Sequence, residues 1–341
     1  MKIKAKDIAR ELGLSTATVS LAINNRPGVN AETRARVLQY LDEAQDTDEE
    51  WKNKKEKTIR MYTLMEDRPF WDASENIRLY SSYEEASRRA RTAGYKMDMV
   101  CVYRDKDNLA KMLKDCEKEN VAGVYMNATY MTEEEYRCFH EFHLPFIVSD
   151  QDFHDLRTDS IVLNNQQGVR LGLGYLYENG HRDILYFRNS NNFYNMYERR
   201  EGYRRFMEEK GLKFDQDTSI VDIGGDTQAA YEGMLKYIDK KVHMPTAIFA
   251  ENFEVTIGVS KALENRKYRI PEDISIVGFD EIPGMALLDF EPTCIRAFHA
   301  QKANIAMGRL LDRIRKKRKE SINILINNEL VIGNSVKNIL K

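Results

Sequence analysis

The stretch LGLSTATVSLAINN, from Leu12 to Asn25, sets the hydroxyls of Ser15, Thr16, Thr18 and Ser20 among apolar residues. Serine and threonine compete with the backbone for hydrogen bonds, so a helix that only served a core would carry Ala, Leu or Lys in their place. Hydroxyls kept on such a helix suit phosphates and base edges. Other chemistry-bearing residues form weaker patterns. Cys138, His140 and His143 in CFHEFH invite a metal reading, but on a helix Cys138 and His140 point about 200° apart and the three cannot converge. The chain has no GxGxxG, Walker A loop or nucleophile elbow, and its six histidines stand in no partner pattern, so neither catalysis, cofactor nor metal is expected.

The elements that must carry these hydroxyls are legible. Lys4 to Leu12 reads as a first helix, with Ile8, Ala9 and Leu12 on one side and Gly13 as its stop. Ser15 is placed to cap a second helix to about Asn24, with Val19, Ala22 and Ile23 turned inward and Thr16, Ala17, Ser20 and Leu21 outward. After the break at Asn25-Arg26-Pro27-Gly28, Asn30 can cap a third helix through Val37 and Leu41. Three short helices with a tight first turn make a helix-turn-helix domain over 1–45. The helix N-terminus at Ser15 favours phosphate.

The 341 residues carry a net charge of −2, with 42% hydrophobic and 31% charged residues. Any nucleic-acid binding must therefore be local. No apolar run approaches the roughly 20 residues of a spanning helix, and MKIKAKDIAR lacks a signal-peptide core; a cytosolic protein with no membrane partner is expected. Four scattered cysteines without a CxxC pair fit reduced thiols.

Residues 46–57 form a charged linker without apolar periodicity. Beyond it, strand candidates at 59–65, 96–103, 121–127, 145–150, 160–164, 183–189, 218–224, 246–252 and 273–280 alternate with helices. Such alternation implies parallel sheets covered by helices, in two lobes whose cleft lies at the C-terminal strand ends. The expected class is thus an all-α helix-turn-helix domain followed by an α/β two-lobed domain over 58–341.

KDIARELGLSTATVSLAINNRPGVNAETRARV, NNQQGVRLGLGYLYENGHRDILYF, RREGYRRFMEEKGL, PTAIFAEN and DISIVGFDEIP stand in this order, and with them the chain resembles the LacI/GalR family of transcription regulators over nearly its whole length. The resemblance implies a periplasmic-binding-protein-like (type I) fold, with one lobe of about 58–159 plus 294–322 and another of 160–291 plus 323–341. It also implies a homodimer, near-palindromic double-stranded operator DNA, and a small sugar-like effector whose binding changes operator affinity. By resemblance, Ser15, Thr18, Ser20 and Asn24 would meet the DNA backbone, and Thr16, Ala17 and Leu21 would read bases; Arg26 joins the DNA-binding set through its local positive charge. By resemblance Arg199, Asn252 and Asp280 are effector residues; Asp150, Asn195 and His299 are further polar candidates. Phe70 and Trp71 after the first strand and Phe193, Tyr194 and Tyr197 before Arg199 are candidate aromatic lining, and Phe253 offers a further aromatic face. A forked guanidinium and a carboxylate each bind two neighbouring hydroxyls, which suits a sugar.

The chain also departs from the family pattern. The linker holds Asp46, Asp48, Glu49 and Glu50 where a Pro-Asn entry and a leucine wedge are usual, Phe253 replaces an aspartate, and Arg296-Ala297 replaces an arginine-glutamine pair. A corepressor-dependent regulator sensing a nucleobase or other metabolite is the alternative function, and a transport-type sugar-binding protein a further one. No heptad tail follows the last strand candidates INILINN and ELVIG. Sedimentation at micromolar concentration is therefore expected to give dimers; tetramers alone would contradict this.

Overall fold

A computed structural model describes residues 5–24, 26–30, 33–38, 40, 57–65, 73–103, 107–153, 158–240, 243–282, 288–316 and 320–340. The chain divides into two compact units, Met1–Glu56 and Lys57–Lys341.

In the first unit, helices Ala5–Leu12 and Thr16–Ile23 are followed by helical turns over 33–38. Gly13 sits at φ +65°, in the left-handed region that glycine enters without a Cβ penalty, and there the Leu14 N–H donates back to the Ala9 carbonyl at 2.8 Å. Ser15 caps the second helix by accepting from the Thr18 N–H at 3.0 Å, and Asn30 accepts from the Thr33 N–H at 2.7 Å. Ile8, Ala9, Val19, Ala22 and Val37 form the small core. Ile23, expected to face inward, is 41% exposed. It is the last residue of its helix, which Asn24 ends.

The second unit holds two six-stranded sheets. Its strands are β1 (Thr58–Met65), β2 (Lys96–Tyr103), β3 (Val121–Asn127), β4 (Phe146–Ser149), β5 (Ser160–Leu163), β6 (Ile184–Arg188), β7 (Ile220–Asp222), β8 (Ala247–Ala250), β9 (Ser275–Phe279), β10 (Thr293–Arg296), β11 (Asn323–Ile326) and β12 (Glu329–Val331). The first sheet runs β11-β5-β4-β3-β1-β2 and the second β12-β10-β9-β8-β6-β7. Among the described residues every pairing is parallel except that of β10 with β12. Strands buried on both faces, such as β3, β8 and β9, read as continuous apolar runs for this reason.

The lobe boundaries differ from those expected. β5 and β11 belong to the first sheet and β10 to the second, because Ser160 pairs with Val148, Asn323 with Ser160, and Thr293 with Val277. The chain therefore crosses between lobes after Leu163, after Arg296 and after Ile326. Helix His299–Lys316 then packs on the first sheet through Ala303, Ala306, Met307 and Leu310. On the second lobe, helix Asn165–Glu178 lies so close to its sheet that a Cβ on Gly168 would sit 2.7 Å from the Phe279 ring.

A buried carboxylate ties the first lobe's discontinuous pieces together. Asp159 accepts from Arg309 Nε at 2.8 Å, Arg313 Nη1 at 3.0 Å and the Ile322 N–H at 2.7 Å. Removing one charge from a buried pair strands the others and costs about 3 kcal/mol. Asp159→Asn is expected to lose that much in denaturant unfolding; an unchanged midpoint would refute this role.

Candidate functional site

On helix Thr16–Ile23, Thr16, Ala17 and Ser20 are exposed and Leu21 is half-buried. The other polar side chains expected at a DNA surface already serve the helix. The Ser15 and Thr18 hydroxyls lie 2.8 Å apart, and Asn24 donates to the Ser20 carbonyl at 2.8 Å. Arg26 is exposed, and its carbonyl accepts from Arg34 Nη2 at 2.7 Å, which ties the following turn to the third helical segment. The result is a slim helix whose outward residues are small and hydroxyl-bearing, the shape a major groove admits.

The second candidate site is a cavity of about 160 Å³ between the lobes, at the C-terminal ends of both sheets. Two aspartates define it. Asp150 follows β4 and Asp280 follows β9, both with left-handed backbone, φ 65° and 68°. This conformation is tolerated by short polar side chains, and both residues line the cavity. One helix turn supplies a partner to each: Lys302 pairs with Asp150, and His299 Nε2 lies 3.0 Å from Asp280 Oδ1. Burial alone would push the Asp150 carboxyl up, but the Lys302 charge and hydrogen bond, with His299 and Asn195, hold it below the ordinary carboxylate value.

From the second lobe, Arg199 is 2% exposed and stacks 3.6 Å over the Phe279 ring. Its Nε donates to Asn165 Oδ1 at 2.9 Å, and its Nη1 to the Glu251 carbonyl at 2.7 Å and to Asp280 at 3.4 Å. Contacts also join the walls. Asn195 of the second lobe donates to Asp150 of the first at 3.3 Å, and Phe193 meets the Tyr130 ring edge-on at 4.4 Å.

Of the cleft residues expected from sequence, Asp150, Asn195, Arg199, Asn252, Asp280 and His299 line this cavity. Tyr194 and Phe253 do not, and Phe70 and Trp71 lie outside the described residues. Asn252 caps helix Phe253–Asn265, accepting from the Val255 N–H at 2.9 Å. One step of about 100° along the first turn separates Phe253, which is 1% exposed in the interior, from Glu254 on the cavity wall. Of the three aromatics before Arg199, Phe193 lines the cavity and Tyr194 and Tyr197 do not. Glu254 accepts from Asn252 at 2.8 Å and Asn189 at 3.3 Å, so a carboxylate is present after all. Lys302 was missed by sequence reasoning, although it sits on the apolar stripe shared with Ala306 and Leu310. Among the described residues no group of three or more His, Cys, Asp or Glu could hold a metal, and no helix is long and apolar enough to cross a membrane.

Residues 4–45 match the family model "Bacterial regulatory proteins, lacI family", and residues 173–336 match "Periplasmic binding protein-like domain". The HTH-type transcriptional repressor PurR of Pasteurella multocida is 28% identical over 337 residues, covering 97% of this chain and 98% of that protein. A lac repressor dimer bound to operator and the anti-inducer ONPF superposes with a TM-score of 0.71 at 18% identity, over 99% of this chain and all of the other. The CelR–cellobiose complex gives 0.70 at 17% identity, over 98% of this chain and all of the other.

Behind the cavity, Glu251 is fully buried and accepts from Tyr186 at 3.0 Å and the Asn189 N–H at 2.7 Å. Burial pushes its carboxyl up to about 7, against the pull of Arg200 and Arg199. The folded protein thus holds a proton that the unfolded chain releases above about pH 4.5, and this group's contribution falls as pH rises from there to about 7. Buried His181, held below its ordinary value mainly by burial, has the opposite slope, so comparison with a variant isolates Glu251. The stability difference between wild type and Glu251→Gln is expected to favour wild type more at pH 5 than at pH 7.5, read by denaturant unfolding. An identical difference at both pH values would refute the buried proton.

Proposed function

The chain belongs to the LacI/GalR family and is a DNA-binding transcriptional repressor rather than an enzyme, and from this premise we propose that a neutral sugar held between its lobes sets its affinity for an operator. In this reading Thr16, Ala17 and Leu21 meet base edges, with Ala17 and Leu21 suited to thymine methyls. Ser15, Thr18, Ser20, Asn24 and Arg26 serve the DNA backbone, and two copies of the chain read two half-sites. Ser15, Thr18 and Asn24 work partly through the helix: their mutual and backbone bonds hold its ends in shape.

The observation that carries the effector reading is the convergence of Asp150, Glu254 and Asp280 with Arg199 and Lys302 on one small cavity. Carboxylates accept from paired hydroxyls, and the Phe193 and Tyr130 rings offer apolar faces to the C–H side of a sugar ring. Three carboxylates against two permanent cations disfavour an anionic ligand such as a sugar phosphate. The structural relative CelR is described in complex with cellobiose, which supports a sugar in a fold of this kind. A planar nucleobase is the second reading, favoured by amides such as Asn189 and Asn191 beside the same rings.

A ligand touching both walls binds best to one arrangement of the lobes, and by linkage it shifts operator affinity by that differential free energy, about 1.4 kcal/mol for each factor of ten. Thermal unfolding against neutral monosaccharides, sugar phosphates and nucleobases tests the reading. At 100 times its dissociation constant a neutral monosaccharide should stabilise by about 2.7 kcal/mol, and Glu254→Gln should lose most of that shift. Stabilisation by nucleobases alone would establish the second reading, and stabilisation by sugar phosphates alone would overturn both.

A further inference from the structure

Four buried side-chain oxygens among the described residues have no hydrogen-bond partner: those of Thr63, Thr158, Ser260 and Asn328. Of the four residues, only Thr63 lines the cleft cavity. It lies near the C-terminal end of β1, opposite Cys101 of β2 and Asn127 of β3, and is 4% exposed. The oxygen of the neighbouring Asn127 amide accepts from the Thr129 hydroxyl at 3.0 Å, and the adjoining wall from Met65 and Leu79 is apolar.

Buried hydroxyls are almost always paired, because leaving one unpaired costs free energy that nothing local returns. Valine would fill the same space on β1 without that cost, and a β-branched residue is all the strand asks for. A hydroxyl retained on the cavity wall therefore points to a partner that arrives with the ligand. Of the charged groups on the cavity, Glu254, Asp280 and Arg199 come from the second lobe; the first lobe brings the Asp150–Lys302 pair, already joined to each other, and Thr63 belongs to that lobe.

Resting on the sugar reading above, we infer that Thr63 is a specificity-determining residue that reads one hydroxyl of the bound sugar from the first-lobe wall. The second lobe holds the sugar through its carboxylates, and Thr63 tests whether one further hydroxyl is present and correctly placed. Since a threonine hydroxyl both donates and accepts, it takes a neutral hydroxyl in either sense.

The test is calorimetric titration of the full chain, its Thr63→Val and its Thr63→Ser variants with D-glucose, D-galactose, D-mannose, D-xylose and D-ribose, followed by the monodeoxy derivatives of whichever binds. Thr63→Val should weaken binding of the parent sugar about tenfold to hundredfold, with Thr63→Ser retaining most of the affinity. One monodeoxy derivative should bind wild type as weakly as the parent sugar binds Thr63→Val, and it should lose nothing more on that variant. Equal binding of the parent sugar by wild type and Thr63→Val, or losses that simply add, would overturn the inference while leaving the sugar reading intact. No binding of any sugar by wild type would overturn the sugar reading itself, and this inference with it. Independently of ligand, Thr63→Val should melt at or above the wild-type temperature; a lowered melting temperature would show that the hydroxyl is already satisfied and would also overturn the inference.

Discussion

Burying carboxylates between two lobes is the constraint on which the cleft depends. Asp150 and Asp280 are both more than nine-tenths buried, and a carboxylate taken out of water is tolerable only when paired and hydrogen-bonded. The compensation comes from a single helix turn, His299 to Lys302, reached immediately after a crossing between sheets. Placing both partners on one rigid turn ties the two strand ends to each other: a shift of that helix disturbs Asp150 of the first lobe and Asp280 of the second together. Arg199 adds a third fixed point, braced by Asn165 at the start of the helix that follows the first crossing.

Side-chain amides bind the crossings to one another and to the cleft. Asn164 donates to Asn327 at 2.9 Å, and Asn328 donates to the Asn164 carbonyl at 2.7 Å, so amides join the first crossing to the third. Asn165 donates to Asn195, which in turn reaches Asp150. Two sets of amide bonds thus meet at adjacent residues, Asn164 joining the crossings and Asn165 reaching the cleft carboxylate through Asn195. In the proposed reading, a ligand that changes the pairing of Asp150 would act on a bond that crosses between the lobes, which is a physical route for the linkage.

Much of this was legible in the sequence because local chemistry specifies it. Ser15 and Asn30 read as caps and act as caps, and Gly13 marks the turn it makes. The parallel strands announce themselves as apolar runs. Lobe membership was not legible: β5, β10 and β11 are short apolar segments whose sheet is decided by backbone pairing with strands distant in the chain. The site divides in the same way. Arg199, Asn252 and Asp280 stand in recognisable motifs and Phe193 in the aromatic run before Arg199, whereas Glu254 takes the cavity position in place of Phe253 because the helix start turns it there. Glu251 carried a signal of its own, a charged residue closing the apolar run TAIFA. Lys302 carried another, as the one lysine on an apolar helix stripe.

The most direct measurement is the affinity of the full chain for an operator selected from a random duplex library, by fluorescence anisotropy at fixed salt, with and without the monosaccharide that most stabilises the protein. At least a tenfold change in dissociation constant is expected, lost when Asp280 is replaced by asparagine in a chain that still folds and binds DNA. An operator affinity indifferent to the sugar, or a change that survives in Asp280→Asn, would contradict it.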